Sequence, residues 1–387
     1  MTTERFDAVV IGGGLAGRAA ALAVAKAGLD TLHLAPAGPA DRRTSALMGP
    51  SVAFLQSLGV VDDPPSSGHP LRQIRIIDAT SRLLRAPETV FDSAEAGLAA
   101  FGWNFANVAL AEAFERLAAG LPHLTSRPLA AATVAFGEAG ARVTLADGAG
   151  IDASLLIGAD GKKSMVREAA GITVREHVFS QAALVCDLTL SRPLGDQSVE
   201  FHYDRGPFTL VPAGGNHANL VWIDDRAVLD SARGSEATLL EALTRRSQRL
   251  FGTIGLASPA FVFPLSSLSV DRAGAKGVVL VGEAAHAFPP IGAQGLNLGL
   301  RDVADLVALI GASGGPLDAR RGVALSQAYA RRRSGDLVRT GATVDTLFRS
   351  LLADLLPAQA ARAGGLWALK LVPALRRQAF AIGMGAR

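Results

Sequence analysis

Apolar residues along this chain fall into short blocks separated by glycine, proline or charge. The first block, Phe6 to Ile11, is rich in β-branched residues and predicts a strand. Gly12, Gly13 and Gly14 follow, and then Leu15 to Ala27, a run of strong helix formers in which only Arg18 and Lys26 are charged. Gly28 ends that helix, and Thr31 to Leu34 predicts the next strand. The unit recurs further on. Leu155 to Ile157 predicts a short buried strand, Gly158, Asp160 and Gly161 a tight turn, and Ser164 to Ala170 a helix with Ser164 as N-cap. Between these units and the end the texture changes. Ala182 to Leu190, Ser198 to Asp204, Phe208 to Ala213 and Ala218 to Asp224 predict consecutive strands, with period-two alternation clearest in S-V-E-F-H-Y. Glu236 to Phe251 predicts a helix, and Phe261 to Val270 a returning strand. A last apolar run, Gly277 to Val281, leads into GEAAHAFPPIGAQGLNLGLRD, whose end is helical from Leu296 to Ile310. Arg331 to Arg333 predict a solvated helix face. Apolar positions 347, 348, 351, 352, 355 and 356 are spaced for one face of a terminal helix.

Length and composition narrow the classes. A chain of 387 residues is long enough for two to three domains, and 49% apolar content is enough for a large core. No apolar run reaches the ~20 residues of a spanning helix, and the N-terminus lacks a secretory pattern. The expected location is therefore cytoplasmic, either free or peripheral on the inner membrane. The single cysteine, Cys186, excludes an internal disulfide and a multi-cysteine metal site, and reads as a small buried hydrophobe. A net charge of +3 gives no reason to expect nucleic acid.

Chemistry enters through glycine spacing. Gly12, Gly14 and Gly17 form G-x-G-x-x-G between a strand and a helix. In that setting the first glycine makes the turn, the second lets a pyrophosphate approach the backbone, and the third lets helix and sheet pack closely. The helix N-terminus then offers unpaired N–H groups to phosphate. Ala35 stands where this fingerprint carries a ribose-binding acid at the end of the second strand. No second copy follows a strand, so one resident dinucleotide is expected. The loop Pro289 to Asn297 combines two prolines with Gly292 and Gly295, a stiff wall that something flat can approach.

Three motifs, GGGLAG, GADGKKSMVRE and GEAAHAFPPIGAQGLN, occur in this order over essentially the whole chain. In them the chain resembles the class A flavoprotein monooxygenases of the p-hydroxybenzoate hydroxylase fold. DRRTSALMGPSV (Asp41 to Val52) and FGWNFANVALAEAF (Phe101 to Phe114) make it most similar to the ubiquinone-biosynthesis hydroxylases. The resemblance implies an α/β fold. It has a Rossmann-like FAD-binding domain of glutathione-reductase type, made of residues 1–73, 101–172 and 272–342. An inserted antiparallel β-sheet substrate domain comprises 74–100 and 173–271, and a C-terminal helical segment spans 343–387.

The resemblance also implies the site. Gly12, Gly14 and Gly17 would receive the FAD pyrophosphate. Arg43 would reach the flavin side of the pocket and a visiting nicotinamide nucleotide. Asn107 would lie near the FAD phosphates, and Asp160 would help bind FAD. Glu283, one methylene longer than the family's Asp, would bond the ribityl or ribose region. Pro290, Gly295, Leu296 and Asn297 would wrap the isoalloxazine. Backbone N–H groups there favour the anionic reduced ring. His286 is expected to be structural. Lys162 and Lys163 are expected to be solvated. The implied reaction uses FAD, NADH or NADPH and O₂. A flavin C4a-hydroperoxide hydroxylates an aromatic ring while the protein positions the ring and excludes water. That chemistry needs no metal and no nucleophile–base pair. The implied substrate is a polyprenylated phenol, with the inner-membrane surface and other ubiquinone-biosynthesis proteins as partners. Trp367, Lys370, Arg376 and Arg377 suit an interfacial helix or a helical cap on the core. Phe208, Leu210, Val221 and Trp222 are pocket candidates that core packing explains equally well. Two alternatives stay open at this point: a hydroxylase of a small soluble aromatic acid, which requires a pocket cation, and a non-catalytic subunit that organises a biosynthetic complex.

Overall fold

The computed structural model describes residues 4–82, 85–137, 140–290, 292–313, 316–352, 364, 365, 367–369, 371, 372, 375, 376 and 378. Strand Glu4–Ile11 lies centrally in an eight-stranded sheet, parallel to Thr31–Leu34 on one side and Gly150–Gly158 on the other. Leu124–Arg127 and Val278–Leu280 continue the parallel array outward. Central strands covered on both faces must be apolar throughout, and Ala8, Val9, Val10 and Leu155 to Ile157 are all buried. Helix Leu15–Lys26 packs through Ala19, Ala20, Ala21, Ala23 and Ala25, whose small side chains let it sit close to the sheet and to helix Gln294–Ser313.

A nine-stranded sheet runs His286–Ala287, Phe261–Val270, Val174–Leu190, His217–Asp225, Gly206–Pro212, Gln197–Tyr203, Gln73–Asp78 and Thr89–Asp92, with Ile254–Leu256 beside Val174–Leu190. It is mainly antiparallel; Gln73–Asp78 joins Gln197–Tyr203 in parallel. Its outer face carries Leu184, Cys186, Phe201, Phe208, Leu210, Leu220 and Trp222, packed with Leu229, Leu239 and Leu243 of helices Arg226–Ala232 and Glu236–Arg246. Phe208, Leu210 and Trp222 are therefore core residues, not pocket lining. Among the four candidates only Val221 points to the opposite face, where it packs with Ala183, Ile223 and Leu265. Cys186 is buried, as its reading as a small hydrophobe anticipated.

A third, three-stranded sheet, Thr44–Met48, Gly102–Ala106 and Gly68–Leu71, joins the other two. Gly102 is essential there. A Cβ on it would lie 2.0 Å from the Leu47 carbonyl oxygen.

Three expectations need correction. The strand expected from Ala182 starts at Val174, because residues 174–178, exposed and of mixed character with no apolar pattern, pair with Phe261–Val270 ahead of an irregularity at 179–181. The helix expected over 236–251 stops at Arg246, since Gln248 and Arg249 take left-handed φ of 52° and 58°. Arg333 is not solvated: its exposure is 0%, and it sits among aspartates inside the molecule. Arg331 and Arg332 are exposed, as expected of that run.

Helix Ala319–Leu352 is the last long element. The side chains at 347, 348, 351, 352, 355 and 356, together with Lys370 and Arg377, lie outside the described residues. Of the tail, Leu369 packs against the Phe91–Phe101 cluster, Arg376 pairs with Glu95 at 2.7 Å, and Trp367 is 47% exposed.

Candidate functional site

The three motifs meet where the parallel strands end. Gly12 has φ +134°, and a Cβ on it would lie 2.1 Å from the Ala159 carbonyl oxygen. Gly17 is equally constrained, with its missing Cβ 2.1 Å from the Gly12 carbonyl oxygen. Together these two glycines bring the first turn against the Ala159–Asp160 turn. Gly14 differs. It is the N-cap of the Leu15–Lys26 helix, and a Cβ there would have nothing within 4 Å. The first glycine and the third are needed for packing, whereas the second faces open space at a positive helix end, a cradle that fits the pyrophosphate of FAD. His33 closes the base of this turn, with Nε2 2.9 Å from the Gly12 carbonyl oxygen. Burial pushes the His33 pKa down, so the neutral ring donates that bond.

Asp160 caps the following helix. Its carboxylate accepts from Ser164 Oγ (2.5 Å) and Val166 N (3.2 Å), while Ser164 Oγ accepts from Arg167 N (3.0 Å), the capping role expected of this serine. Arg167, which sequence reading missed, is buried. It donates to the carbonyls of Lys162 (2.7 Å) and Ala284 (3.0 Å), clamping the second motif's turn to the third's. Lys162 and Lys163 are exposed.

Glu283 sits exposed on a single 3₁₀ turn, Gly282–Ala284. Beyond it, Pro289 is buried and Pro290 exposed. Gly295 is exposed with open space around its α-carbon, Leu296 is half-buried, and Asn297 is buried. The helix begins at Gln294, so the N–H groups of residues 294–297 have no carbonyl of their own helix to bond. The Asn297 side chain spans to the three-stranded sheet: Oδ1 accepts from Met48 N (2.9 Å), and Nδ2 donates to the carbonyls of Ala46 (2.9 Å) and Ala293 (2.6 Å). Ala293 holds a left-handed φ of 53°, strain that this bond helps to maintain.

Arg43 and Asn107 lie together on the same strand system. Arg43 binds Asp41 through two bonds, of 2.8 and 2.9 Å, with 70% of its side chain exposed. Asn107 Nδ2 donates to Asp41 Oδ2 (2.9 Å), and Asn107 Oδ1 accepts from Ser45 Oγ (2.7 Å). Burial opposes the Asp41 charge, yet the bonds from Arg43 and Asn107 hold its carboxyl below the usual carboxylate range. Glu283 is near enough to raise the Arg43 pKa together with Asp41. From Thr44 the system reaches the nine-stranded sheet: Thr44 Oγ1 (2.7 Å) and Asn104 Nδ2 (2.7 Å) both donate to Asn219 Oδ1, and Asn219 Nδ2 donates to Asp187 (2.6 Å). The inner face of that sheet is thereby tied to the three-stranded sheet, which Asn297 in turn joins to the flavin-loop helix. Among the described residues no group of His, Cys, Asp and Glu is arranged to hold a metal.

Comparison with known proteins agrees with this geometry. Residues 5–335 match the FAD binding domain family. Ubiquinone hydroxylase UbiL of Rhodospirillum rubrum is 31% identical over 98% of this chain and 89% of its own length. The 3-demethoxyubiquinol 3-hydroxylase of Escherichia coli is 29% identical over the full length of both chains. Among solved structures, Klebsiella pneumoniae HpxO complexed with FAD and uric acid superposes with a TM-score of 0.79 over 98% of this chain and 96% of its own, at 18% identity. The chain belongs to the FAD binding domain family and has the fold of the FAD-dependent monooxygenases. Within that class it is an FAD-dependent hydroxylase, with relatives named for ubiquinone biosynthesis.

Proposed function

We propose that this hydroxylase acts on the aromatic ring of a polyprenylated phenol during ubiquinone biosynthesis, with NADH or NADPH as the reductant and O₂ as co-substrate. One observation carries the choice of an uncharged ring. Strands Gln197–Tyr203, Gly206–Pro212 and His217–Asp225, with residues 182–190 beside them, contain no Lys or Arg on either face. Arg75, on the neighbouring Gln73–Asp78 strand, is in register with Val199 of the outer face and pairs with Glu88. On the inner face stand Asp187 and Glu200, and His202 there is already paired with Glu200, so a small aromatic acid would set its carboxylate against them with no Lys or Arg to meet it, which is costly. Val185, Val211 and Val221, with Ile74, Ile76 and Met48 nearby, add apolar surface that suits a phenol carrying a hydrocarbon tail. The names of the two full-length relatives point the same way.

FAD, when bound, supplies the activated oxygen. The chain's own residues bind, orient and shield. Gly12, Gly14 and Gly17 would hold the pyrophosphate, with Asp160, Arg43, Asn107 and Glu283 as further contacts to FAD. The N–H groups of Gly295, Leu296 and Asn297 would meet the electron-rich end of the ring system, and Pro290 and its loop would shield the ring from water. In this reading residues 1–73, 101–172 and 272–342 form the FAD-binding part, 74–100 and 173–271 the substrate-binding sheet, and 343–387 a segment contacting the membrane surface. No helix among the described residues is long and apolar enough to cross a membrane.

The test is a turnover assay. Purified protein is loaded with FAD and given NADH or NADPH, air and either a prenylated phenol or 4-hydroxybenzoate. The prenylated phenol should stimulate nucleotide oxidation and gain one oxygen by mass spectrometry. Hydroxylation of 4-hydroxybenzoate alone would overturn the substrate assignment. Failure to take up FAD at all would favour the non-catalytic subunit.

A further inference from the structure

Behind the Glu283 turn lies a buried charge network that the flavin chemistry does not use. Asp302 Oδ2 accepts from Gly282 N (2.9 Å) and from His286 Nε2 (2.6 Å), gripping both ends of the turn that carries Glu283. Its other oxygen accepts from Arg333 Nε (2.7 Å). Arg333 Nη1 continues to Asp305 (2.8 Å) and Asp336 (2.7 Å). Arg332 also binds Asp305, and Arg301 binds Asp336. Asp302, Arg333 and His286 are all at or below 1% exposure. Gly282 and His286 belong to the third motif, Asp302 to the helix that starts at the flavin loop, and Arg333 to the last long helix.

We propose that Arg333 is a positioning residue for FAD: through Asp302 it sets the Gly282–His286 turn and thereby makes FAD affinity depend on the docking of helix Ala319–Leu352. The argument is geometric. Gly282 has a left-handed φ of 59° and its missing Cβ lies 3.1 Å from Ala16 Cβ, so this turn abuts the pyrophosphate helix. Gly299 also touches it, a Cβ there lying 3.3 Å from Gly282 Cα. A turn wedged between two helices keeps its place only if the group behind it keeps its place. That group is a buried carboxylate, which demands a full set of partners. Burial opposes its ionisation, yet His286 and Arg333 hold its carboxyl below the ordinary range.

The charge of Arg333 supplies a readout that plain packing would lack. Arg301, Arg332 and Arg333 pair with Asp302, Asp305 and Asp336. His286 donates from Nε2 to Asp302, and its Nδ1 has no hydrogen-bond partner among the described residues. The other groups around it are Phe288, stacked at 6.1 Å, Tyr329, whose OH donates to the Leu280 carbonyl, and Arg167, bonded to the Ala284 carbonyl. Removing the Arg333 guanidinium takes the cation away from Asp302 Oδ1, and a lysine at the same place returns one, a rescue that depends on charge and not on the volume filled.

The test uses the full chain stripped of flavin and titrated with FAD, with Kd read from quenching of flavin fluorescence. Arg333→Met should weaken FAD about ten- to a hundredfold, the scale of one lost hydrogen bond to a charged group. Arg333→Lys, which keeps the charge, should bind FAD more tightly than Arg333→Met; it also carries the test if the methionine variant does not fold. Arg331→Ala, on the exposed face, should not change FAD affinity. A lowered Tm with wild-type FAD affinity, or a lysine variant that binds FAD no better than the methionine variant, would overturn the proposal and leave Arg333 a packing residue. The assignment of Glu283 is tested separately: wild-type affinity in Glu283→Ala would remove Glu283 from the site while leaving the Arg333 result intact.

Discussion

Replacing Gly14 by alanine separates the cradle from the fold. A Cβ at this position meets nothing within 4 Å, and its backbone, φ −70° and ψ 169°, is open to any residue. Glycine supplies no side-chain cap that alanine would remove. Lost N-cap preference and gained chain stiffness each amount to under about 1 kcal/mol and oppose one another, so flavin-free stability should hardly change. FAD should respond differently. A methyl group in the cradle pushes the pyrophosphate off the helix end and breaks one or two charged hydrogen bonds. This costs about 2–4 kcal/mol, or roughly thirty- to several-hundredfold in Kd. Gly12→Ala is the contrasting case. There φ is +134° and the new methyl would lie 2.1 Å from the Ala159 carbonyl oxygen, a backbone atom that cannot swing away. It should destabilise the flavin-free protein by about 3 kcal/mol or more. Thermal unfolding without FAD, paired with FAD titration by fluorescence, reads both quantities. Wild-type FAD affinity in Gly14→Ala would refute the reasoning, because the open space above the helix would then not be where phosphate sits.

Other consequences follow from the same geometry. Asn297→Ala removes three hydrogen bonds, two of which tie the flavin helix to strand Thr44–Met48; at about 1 kcal/mol each it should lower Tm by several degrees and weaken FAD, and an unchanged Tm would contradict the bridging role. Arg43→Met should cost under about 1 kcal/mol of stability, since the pair with Asp41 is largely exposed, yet slow reduction of the enzyme by nicotinamide nucleotide, measured by anaerobic stopped flow; an unchanged rate would make Arg43 a surface residue. Burial pushes the Cys186 thiol up to about 12, so it should resist alkylation at neutral pH until the protein unfolds. Because the unfolded thiol ionises first, this group lowers stability as pH rises from the ordinary thiol range toward about 12, which urea midpoints at alkaline pH can check.

What could be read in advance was local. The first βαβ unit, the Ser164 cap and the burial of Cys186 each depend on a few neighbouring residues, and each appears in the structure as expected. The stretch from Val174 to Val178 was invisible because backbone pairing, not an apolar face, holds it. The three-stranded sheet was equally hidden, its strands coming from three separate places. Arg333 was misread because three consecutive arginines suggest a wet surface. A better signal was present: Leu325, Tyr329, Arg333 and Leu337 recur every four residues, and all are buried. Asp302, Asp305 and Asp336 could not be matched to that arginine without knowing which helices meet. Which half of the alternating positions faces the ring also needed the packing, and so Phe208, Leu210 and Trp222 were offered as lining although they form the outer core.

The register of the parallel sheet also sets a timetable. Ala8 lies against Leu155, and Leu156 in turn beside Val278. During synthesis the glycine turn is made almost at once and meets Leu34 and His33 soon after, but its second wall, Ala159, comes much later, and the Glu283 turn later still. At about 5–20 residues per second, Val278 is joined to the chain roughly a quarter of a minute to one minute after the start. Until then the nascent strands are exposed apolar segments with open edges. Cofactor loading is thus an event of the nearly finished polypeptide, and the supply of free FAD in those last moments would govern how much chain matures and how much is lost to aggregation.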